Sequence, residues 1–154
     1  EAKLLTILFI CTANIVRSYM AERILKGMLA KMKRRDVIVV SAGMLDMHGA
    51  PGDPTAAKIL AEHNFDGCGH ISKPYSETSL SQADMIVVME KAQEERLTAD
   101  HPQYGERLRL LKTFSREYDG SAGDIKDPYR LSPYHYRLCF AEIYTSVMGM
   151  LTCI

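Results

Sequence analysis

Short apolar runs that alternate with helical segments most constrain the fold of this chain. The first run, residues 4–10, is apolar and rich in β-formers, which is typical of a strand buried on both faces. Similar runs predict strands at residues 37–40, 84–89 and 107–111. Apolar residues at helical spacing predict helices over about residues 20–32, from 53, over 91–97 and over 136–151. This alternation predicts an α/β fold, in which helices flank both faces of a central four-stranded parallel sheet.

Three segments between these elements are predicted to be irregular. Residues 44–52 have no periodicity, and residues 64–73 are rich in turn-forming residues. The third segment, residues 115–133, is a long loop, and loops of that length in a compact domain are usually functional or disordered. Ligands of open parallel sheets bind at the carboxyl ends of the strands, where Cys11 and Ser41 are expected.

The length and composition indicate one globular domain over residues 1–154. Hydrophobic residues make up 47% and charged residues 25% of the 154 residues, which are ordinary globular values. Nineteen basic residues balance nineteen acidic ones, so no basic excess points to a nucleic-acid partner. The apolar runs are too short to span a bilayer, and membrane insertion is therefore not expected.

The spacing of the cysteines and the first residues of the chain indicate the cellular compartment of the protein. The four cysteines are scattered without a Cys-x-x-Cys pair, which argues against a structural zinc site and a disulfide scaffold. Free thiols in a reducing compartment are the simplest interpretation. No charged-then-apolar leader is visible at the start of the chain, so secretion is not indicated. We therefore expect a cytoplasmic protein.

A six-residue step from Cys11 to Arg17 lies between the first predicted strand and helix. Such a loop lets both side chains face one bound anion, while its backbone N–H groups and the N-terminus of the helix add positive potential. The arginine fork matches phosphate oxygens, and the same field favours a thiolate. Alone, the spacing is a weak signal. The alternative is a buried cysteine that ends a strand and a solvated arginine that begins a helix.

Cysteine-dependent phosphoryl transfer also needs a proton donor for the leaving oxygen. Asp127, in the sequence Asp127-Pro128-Tyr129 of the long loop, is the candidate. Tyr129 would then form an aromatic wall beside the pocket. The alternative is that the Asp-Pro pair only makes a turn, because spacing alone does not bring Asp127 near Cys11.

Residues 10–18, together with Ala21-Glu22, resemble the phosphate loop of the low-molecular-weight protein tyrosine phosphatases. Further motifs fall in the order that this family has, and the resemblance runs from about residue 4 to residue 151. These motifs are Ser41-Ala42-Gly43, Asp53-Pro54, His70, Ala83-Asp84, Met89-Glu90 and Asp127-Pro128-Tyr129. Bacterial members associated with capsule and exopolysaccharide export are the most similar. They dephosphorylate a membrane tyrosine autokinase, so the resemblance implies such a kinase as partner.

The resemblance also implies roles for individual residues. Cys11 would be the nucleophile, Arg17 the phosphate clamp, and Asp127 the general acid and then base. The substrate and phosphate would contact Thr12, Ala13, Asn14, Ile15, Val16, Ser18, Met47 and Tyr129. A supporting polar network would consist of Asn14, Ser18, Ser41 and His70. For His70 the alternative is a hydrogen-bonded loop histidine, and for Ser41 the cap of a turn.

Neither a metal nor a cofactor is expected, and the protein is expected to be a monomer or weak dimer.

Three residues depart from the family pattern. Ala13 stands where the family usually has glycine, so either the backbone angle tolerates a Cβ or the loop is altered. Val16 stands where a second cysteine is common, which predicts poor recovery from oxidation. Tyr19 replaces a common proline. None of the three removes a catalytic group.

Other functions remain open at this point. Thr12 resembles bacterial phosphoarginine phosphatases of the same family, although those have Asp-Pro-Phe-Gly where this chain has Asp127-Pro128-Tyr129-Arg130. Thioredoxin-coupled arsenate reductases share the loop, but residues 72–138 contain none of the cysteines that their relay requires. A module that binds phosphate without catalysis is the third alternative. The retention of Cys11, Arg17 and Asp127 argues against it.

Overall fold

A four-stranded parallel sheet forms the centre of the computed structural model, which describes residues 3–154. The strands are β1 (Leu5–Cys11), β2 (Val37–Gly43), β3 (Met85–Val88) and β4 (Leu108–Leu110). Their order across the sheet is β2-β1-β3-β4, and all neighbours are parallel. The predicted α/β fold with a parallel four-stranded sheet is therefore confirmed.

Within residues 3–154, five α-helices accompany the sheet. They are α1 (Arg17–Lys31), α2 (Pro54–Glu62), α3 (Glu77–Gln82), α4 (Lys91–Asp100) and α5 (Pro133–Met150). Two short 3₁₀ helices, Pro102–Arg107 and Leu111–Phe114, flank β4. None of the helices in this part of the chain combines the length and the apolar character that a bilayer crossing requires.

The core has two layers because side chains of β1 alternate between the faces of the sheet. Phe9 packs into the larger apolar cluster, together with residues of α1, α2 and α5. Leu8 and Ile10 point to the smaller cluster, where Leu80 of α3 and Leu97 of α4 cover them. All of these side chains are buried. Helices on both faces explain why β1 reads as an almost continuous apolar run.

Three helices differ from the sequence-based expectation at their starts or in their presence, and one of them, α5, begins at Pro133 rather than at residue 136. Helix α1 begins at Arg17 and not near residue 20. Its first turn buries the polar side chains of Arg17 and Ser18. Apolar spacing cannot indicate such a turn. Helix α3 was not predicted, because Leu80 is its only buried residue. A reciprocal capping box between Ser76 and Ser79 begins this short helix.

The carboxyl ends of the strands meet at one edge of the sheet, which the loop after β1 and the long loop before α5 both reach. Cys11 at the end of β1 pairs in register with Gly43 at the end of β2. The predicted long loop is confirmed over residues 115–132, which contain neither helix nor strand, while residue 133, predicted to end the loop, begins α5. Ile125 N donates to Met89 O at 2.9 Å, and Lys91 N donates to Asp124 Oδ1 at 2.8 Å. These two bonds hold the long loop beside the end of β3.

Candidate active site

The loop between β1 and α1 places a cysteine and an arginine at the same edge of the sheet. Cys11 is the last residue of β1, and Arg17 is the first of α1. Val16 at the N-cap supplies no side-chain hydrogen bond to the helix. The first amides of α1 therefore remain available to an anion, which the helix dipole also favours.

The sulfur of Cys11 is buried among groups that can donate hydrogen bonds. Ser18 Oγ lies 3.0 Å from Cys11 Sγ, and the backbone N of Asn14 donates to the sulfur at 3.3 Å. Only 3% of Cys11 is exposed. When the sulfur is ionised it can accept both hydrogen bonds, so the loop is shaped to hold a thiolate.

The side chain of Asn14 organises the loop. Its Oδ1 accepts from the backbone N of Lys73 at 3.1 Å, which fixes the orientation of the amide. The Nδ2 group therefore donates to Ser18 Oγ at 2.8 Å and to Ser41 Oγ at 3.0 Å. Ser18 Oγ accepts this hydrogen bond and can donate its own proton to Cys11 Sγ at 3.0 Å or to the carbonyl oxygen of Ala42 at 3.4 Å.

The second serine of this network, Ser41, donates a hydrogen bond to a carboxylate. Ser41 Oγ donates to Glu22 Oε1 at 2.5 Å, and Lys26 Nζ lies 2.9 Å from Glu22 Oε2. Burial raises the pKa of Glu22, but the hydrogen bonds from Ser41 and Lys26 and the charge of Arg23 outweigh burial, so the pKa is lowered overall. Glu22 is therefore an ionised acceptor that sets the direction of the network.

His70 supports the loop from outside. Its Nε2 lies 2.6 Å from the carbonyl oxygen of Asn14. A carbonyl only accepts, so the Nε2–H tautomer is the donor. Burial lowers the pKa of His70, although the Asn14 carbonyl and Glu22 partly oppose this effect. Asn14 has a φ of 60°, and the hydrogen bond from His70 helps to hold this left-handed conformation.

Arg17 lies almost fully buried at the centre of the site, with 1% of its side chain exposed. Its Nη1 donates to Glu90 Oε2 and to the carbonyl oxygen of Ile125, both at 2.8 Å, and its Nη2 donates to Thr12 Oγ1 at 3.3 Å. Burial lowers the pKa of Arg17, but Cys11, Glu90 and Asp127 more than compensate and raise it overall. The guanidinium thus stays charged and fixed, as a phosphate clamp requires.

The long loop brings Asp127 to the clamp. Asp127 Oδ2 lies 3.6 Å from Arg17 Nη2, while Oδ1 accepts from the backbone N of Tyr129 at 3.0 Å. The side chain of Asp127 is 42% exposed. A carboxyl group at this place can reach a leaving group bound above Cys11 and still exchange protons with water.

This arrangement can carry out chemistry on a phosphate monoester. A nucleophile lies at the base of an anion-binding loop, a fixed cation stands beside it, and a carboxyl group reaches over the site. Within residues 3–154, no group of three or more His, Cys, Asp or Glu side chains could hold a metal ion. The positive potential of the site comes from Arg17 and backbone amides.

Comparison with known families agrees with this geometry. The sequence pattern of the family described as low molecular weight phosphotyrosine protein phosphatase matches residues 6–154. The chain belongs to this family.

Relatives within the phosphatase family include enzymes named for two substrates. The probable low molecular weight protein-tyrosine-phosphatase EpsP of Ralstonia nicotianae is 36% identical over 128 residues, which cover 81% of this chain and 79% of EpsP. The protein-arginine-phosphatase of Bacillus subtilis is 30% identical over 123 residues, which cover 80% of this chain and 79% of that protein. The structure of Vibrio vulnificus Wzb in complex with benzylphosphonate has a TM-score of 0.85 and 28% identity, and covers 98% of this chain and 99% of Wzb.

Two departures from the family pattern have a structural explanation. Among residues 3–154, the non-glycine residues with positive φ are Asn14, Lys33, His48, Asn64 and Arg130. Ala13 is not among them, so its backbone accepts a Cβ without strain, and the phosphatase loop forms around it. Val16 is buried, with 3% exposed, in the cluster that contains Phe9 and Ile24. An apolar side chain at the position of the usual cysteine therefore packs into the core.

The structure brings together most of the predicted site residues of this phosphatase. Asp127 lies 3.6 Å from Arg17, and Cys11 and Arg17 stand at the two ends of the same loop. Asn14, Ser18, Ser41 and His70 form one network, which contacts the sulfur of Cys11 through Ser18. Met47 and Tyr129, which are expected to contact the substrate together with Thr12, are exposed by 36% and 45%.

Three site residues were missed by reasoning from the sequence. Glu22 and Glu90 belonged to motifs of the family resemblance, but no role followed from their position on a helix and after a strand. Gln93 gave no signal at all, because it lies in the polar helix α4, where charged residues prevail. Their roles depend on contacts between distant elements, such as the one from Arg17 to Glu90.

Proposed function

We propose that this phosphatase hydrolyses phosphotyrosine in proteins through a phosphocysteine intermediate. The thiolate of Cys11 attacks phosphorus, the bond from phosphorus to the phenolic oxygen breaks, and Asp127 gives its proton to the leaving phenolate. A water then attacks the phosphocysteine, Asp127 takes a proton from that water, and the bond from phosphorus to sulfur breaks. The products are tyrosine and phosphate, and both Cys11 and Asp127 return to their starting states.

The observation that carries this proposal is the meeting of two distant segments, the loop that holds Cys11 and Arg17 and the long loop that holds Asp127. Arg17, six residues after Cys11, lies within 3.6 Å of Asp127. Charge that develops on the phosphoryl oxygens is met by the buried guanidinium and by the loop amides, and the proposed mechanism uses no metal. Asn14, Ser18, Ser41 and His70 hold the loop in place, while Glu90 holds Arg17.

The proposed physiological substrate is a membrane tyrosine autokinase of polysaccharide export, and the proposed setting is the cytoplasm. The similarity to EpsP and to Wzb supports this assignment. All four cysteines of the chain are free, which suits a reducing compartment. We propose a monomer or weak dimer, which sedimentation at several concentrations would test.

A second substrate class is phosphoarginine. The identity of 30% to a protein-arginine-phosphatase favours its consideration. The two substrates share the phosphoryl group and differ in the atom that bridges it to the side chain, which is oxygen in phosphotyrosine and nitrogen in phosphoarginine.

Phosphate release from a phosphotyrosine peptide tests the proposal. Cys11→Ser should abolish release, and Asp127→Ala should lower kcat by roughly two or more decades because the leaving group loses its proton donor. Cys153→Ser and Asp119→Ala change an exposed cysteine and an exposed aspartate outside the site, and should retain wild-type rates. Wild-type protein that binds the peptide and releases no phosphate would refute the proposed hydrolysis.

A further inference from the structure

The amide of Gln93 has a fixed orientation beside the phosphate loop. Its Oε1 accepts from the backbone N atoms of Met89 and Glu90, at 2.9 and 3.0 Å. Two backbone donors require an oxygen at that position, so the NH₂ group must face the other way. There it donates to Thr12 Oγ1 at 3.2 Å and to Glu90 Oε2 at 3.3 Å. Gln93 is buried, with 6% exposed.

The hydroxyl group of Thr12 is thereby limited to one role. A threonine hydroxyl has one proton to donate and two lone pairs that accept. Thr12 Oγ1 accepts from Gln93 Nε2 at 3.2 Å and from Arg17 Nη2 at 3.3 Å. With both lone pairs occupied, the hydroxyl can offer only its proton to a bound substrate.

We infer that Gln93 is a specificity-determining positioning residue, which holds Thr12 as a hydrogen-bond donor and so favours phosphotyrosine over phosphoarginine. This inference rests on the proposed function. Gln93 itself does not need to touch the substrate. It acts through Thr12, because it removes the acceptor capacity that this hydroxyl would otherwise offer.

The chemistry of the bridging atom explains the preference. Arg17 Nη2 contacts both Thr12 Oγ1 and Asp127 Oδ2, so the threonine hydroxyl lies on the side from which Asp127 reaches the leaving group. The bridging oxygen of phosphotyrosine accepts hydrogen bonds. The guanidinium of phosphoarginine presents N–H donors on this side, and a hydroxyl that can only donate leaves them unpaired. The phosphoryl oxygens are common to both substrates and do not discriminate.

Turnover of two peptides that differ only in the phosphorylated residue measures this preference. The quantity compared is kcat/KM for the phosphotyrosine peptide divided by kcat/KM for the phosphoarginine peptide. Gln93→Met removes the donor to Thr12, and the ratio should fall about tenfold, the effect of one misplaced buried hydrogen bond. Gln103→Met is the matched control, since Gln103 is exposed and donates to Glu77, far from the phosphate loop in the sequence, and it should leave the ratio unchanged.

Gln93 also caps α4, and a second variant separates this structural role from specificity. Gln93→Glu retains oxygens that can accept from the backbone N atoms of Met89 and Glu90, but it replaces the donor to Thr12 by an acceptor. Thr12 can then donate to the new carboxylate and turn a lone pair toward the substrate. The new carboxylate also repels Glu90 Oε2, and this effect on the shared phosphate site lowers turnover of both peptides, so only the ratio is interpreted. The ratio should fall in Gln93→Glu as well. A fall in Gln93→Met alone would assign the effect to the lost cap and overturn the inference.

A double-mutant cycle with Thr12→Val tests whether Gln93 acts through Thr12. In the Thr12→Val background, where the hydroxyl is absent, Gln93→Met should no longer change the ratio. A ratio that still falls in this background, or equal losses on both peptides in Gln93→Met, would overturn the inference. Wild-type protein that hydrolyses neither peptide would instead refute the proposed function, so the two failures are distinguishable.

Discussion

His70 donates a hydrogen bond through Nε2 to the carbonyl oxygen of Asn14, at 2.6 Å, and thereby supports the one left-handed residue of the phosphate loop. The imidazole is buried and packs against Tyr19 in a tilted arrangement, with ring centroids 4.5 Å apart. Asn14 in turn donates to Ser18 and Ser41. A loop residue more than fifty positions away along the chain therefore helps to shape the surroundings of the nucleophile.

The free energy of unfolding should depend on pH through His70. Burial lowers its pKa in the folded state below the ordinary value near 6.5, so the unfolded state binds a proton first as the pH falls. The stability that neutral His70 contributes is present above about pH 6.5 and is lost as the pH falls from there through the folded-state pKa. Urea unfolding between pH 5 and 8 should show this decline.

His70→Gln should remove this part of the decline, because glutamine does not titrate. His48→Gln is the matched control, since the His48 side chain is 88% exposed and makes only a long contact to Asp46. An unchanged pH profile in His70→Gln would show that other groups cause the decline. Since the glutamine side chain can still donate from its amide, kcat should fall less in this variant than in His70→Ala.

Tyr19→Phe should lower the free energy of unfolding by about 1 kcal/mol, the net contribution of one buried hydrogen bond. The Tyr19 hydroxyl donates to the carbonyl oxygen of Gly67 at 2.5 Å, and its ring is fully buried. A Cβ at Gly52 would lie 2.6 Å from this ring, so the surrounding loops are shaped around it. Tyr134→Phe, at a side chain with 69% exposure, is the control that should leave the midpoint of urea unfolding unchanged.

Tyr19 also shows where sequence reasoning reached its limit. The strands, the parallel sheet and the position of Cys11 and Arg17 could be predicted, because apolar periodicity and local spacing determine them. Tyr19 stands where the family commonly has proline, and the local sequence does not show what the tyrosine does. Its partners His70 and Gly67 lie about fifty residues away along the chain. Gln93 was missed for the same reason.

The meeting of Asp127 with Arg17 could be expected only from the family resemblance. Nothing in the local sequence of a long polar loop determines where it returns. The structure shows the cause, because the backbone of Ile125 bonds to Met89 and that of Lys91 to the Asp124 side chain. These are tertiary hydrogen bonds between segments with no shared periodicity.

Gly43→Ala should impair catalysis and stability together. A Cβ at Gly43 would lie 3.0 Å from the carbonyl carbon of Ala13 and 3.1 Å from the carbonyl oxygen of Thr12, both backbone atoms of the phosphate loop. The loop would have to shift, at a cost of about 1–3 kcal/mol. Since small displacements of reacting groups strongly affect rates, kcat should fall about tenfold or more.

Gly105→Ala provides the comparison for Gly43, because a Cβ there would meet nothing within 4 Å. Steady-state kinetics and urea unfolding of the two variants measure both effects. Wild-type kcat in Gly43→Ala would mean that the phosphate loop adapts without loss, contrary to the expected contact. The residues after Gly43 also hold the phosphate loop, because Met44 N and Leu45 N donate to the carbonyl oxygens of Cys11 and Thr12, at 2.8 and 2.9 Å. A shift at Gly43 would therefore disturb these hydrogen bonds as well.

Inactivation by hydrogen peroxide should be only weakly reversed by thiols. Peroxide transfers an oxygen atom to the Cys11 thiolate and gives a sulfenic acid, which a neighbouring thiol can trap as a disulfide with loss of water. Val16 occupies the place of that neighbour. Burial raises the pKa of Cys139 to about 12, so this buried cysteine stays a thiol and is a poor partner. A second equivalent of peroxide then gives the sulfinic acid, which thiols do not reduce.

Val16→Cys should restore recovery, because a thiol beside Cys11 can condense with the sulfenic acid before the second oxidation. The measurement is the fraction of phosphatase activity regained with dithiothreitol after a graded peroxide pulse, with mass spectrometry of the Cys11 peptide. Cys68→Ser and Cys153→Ser should behave as wild type, since both cysteines are exposed and neither occupies the position of Val16. Full recovery of the wild-type enzyme would contradict the prediction and indicate that another cysteine, or the loop itself, protects the sulfenic acid.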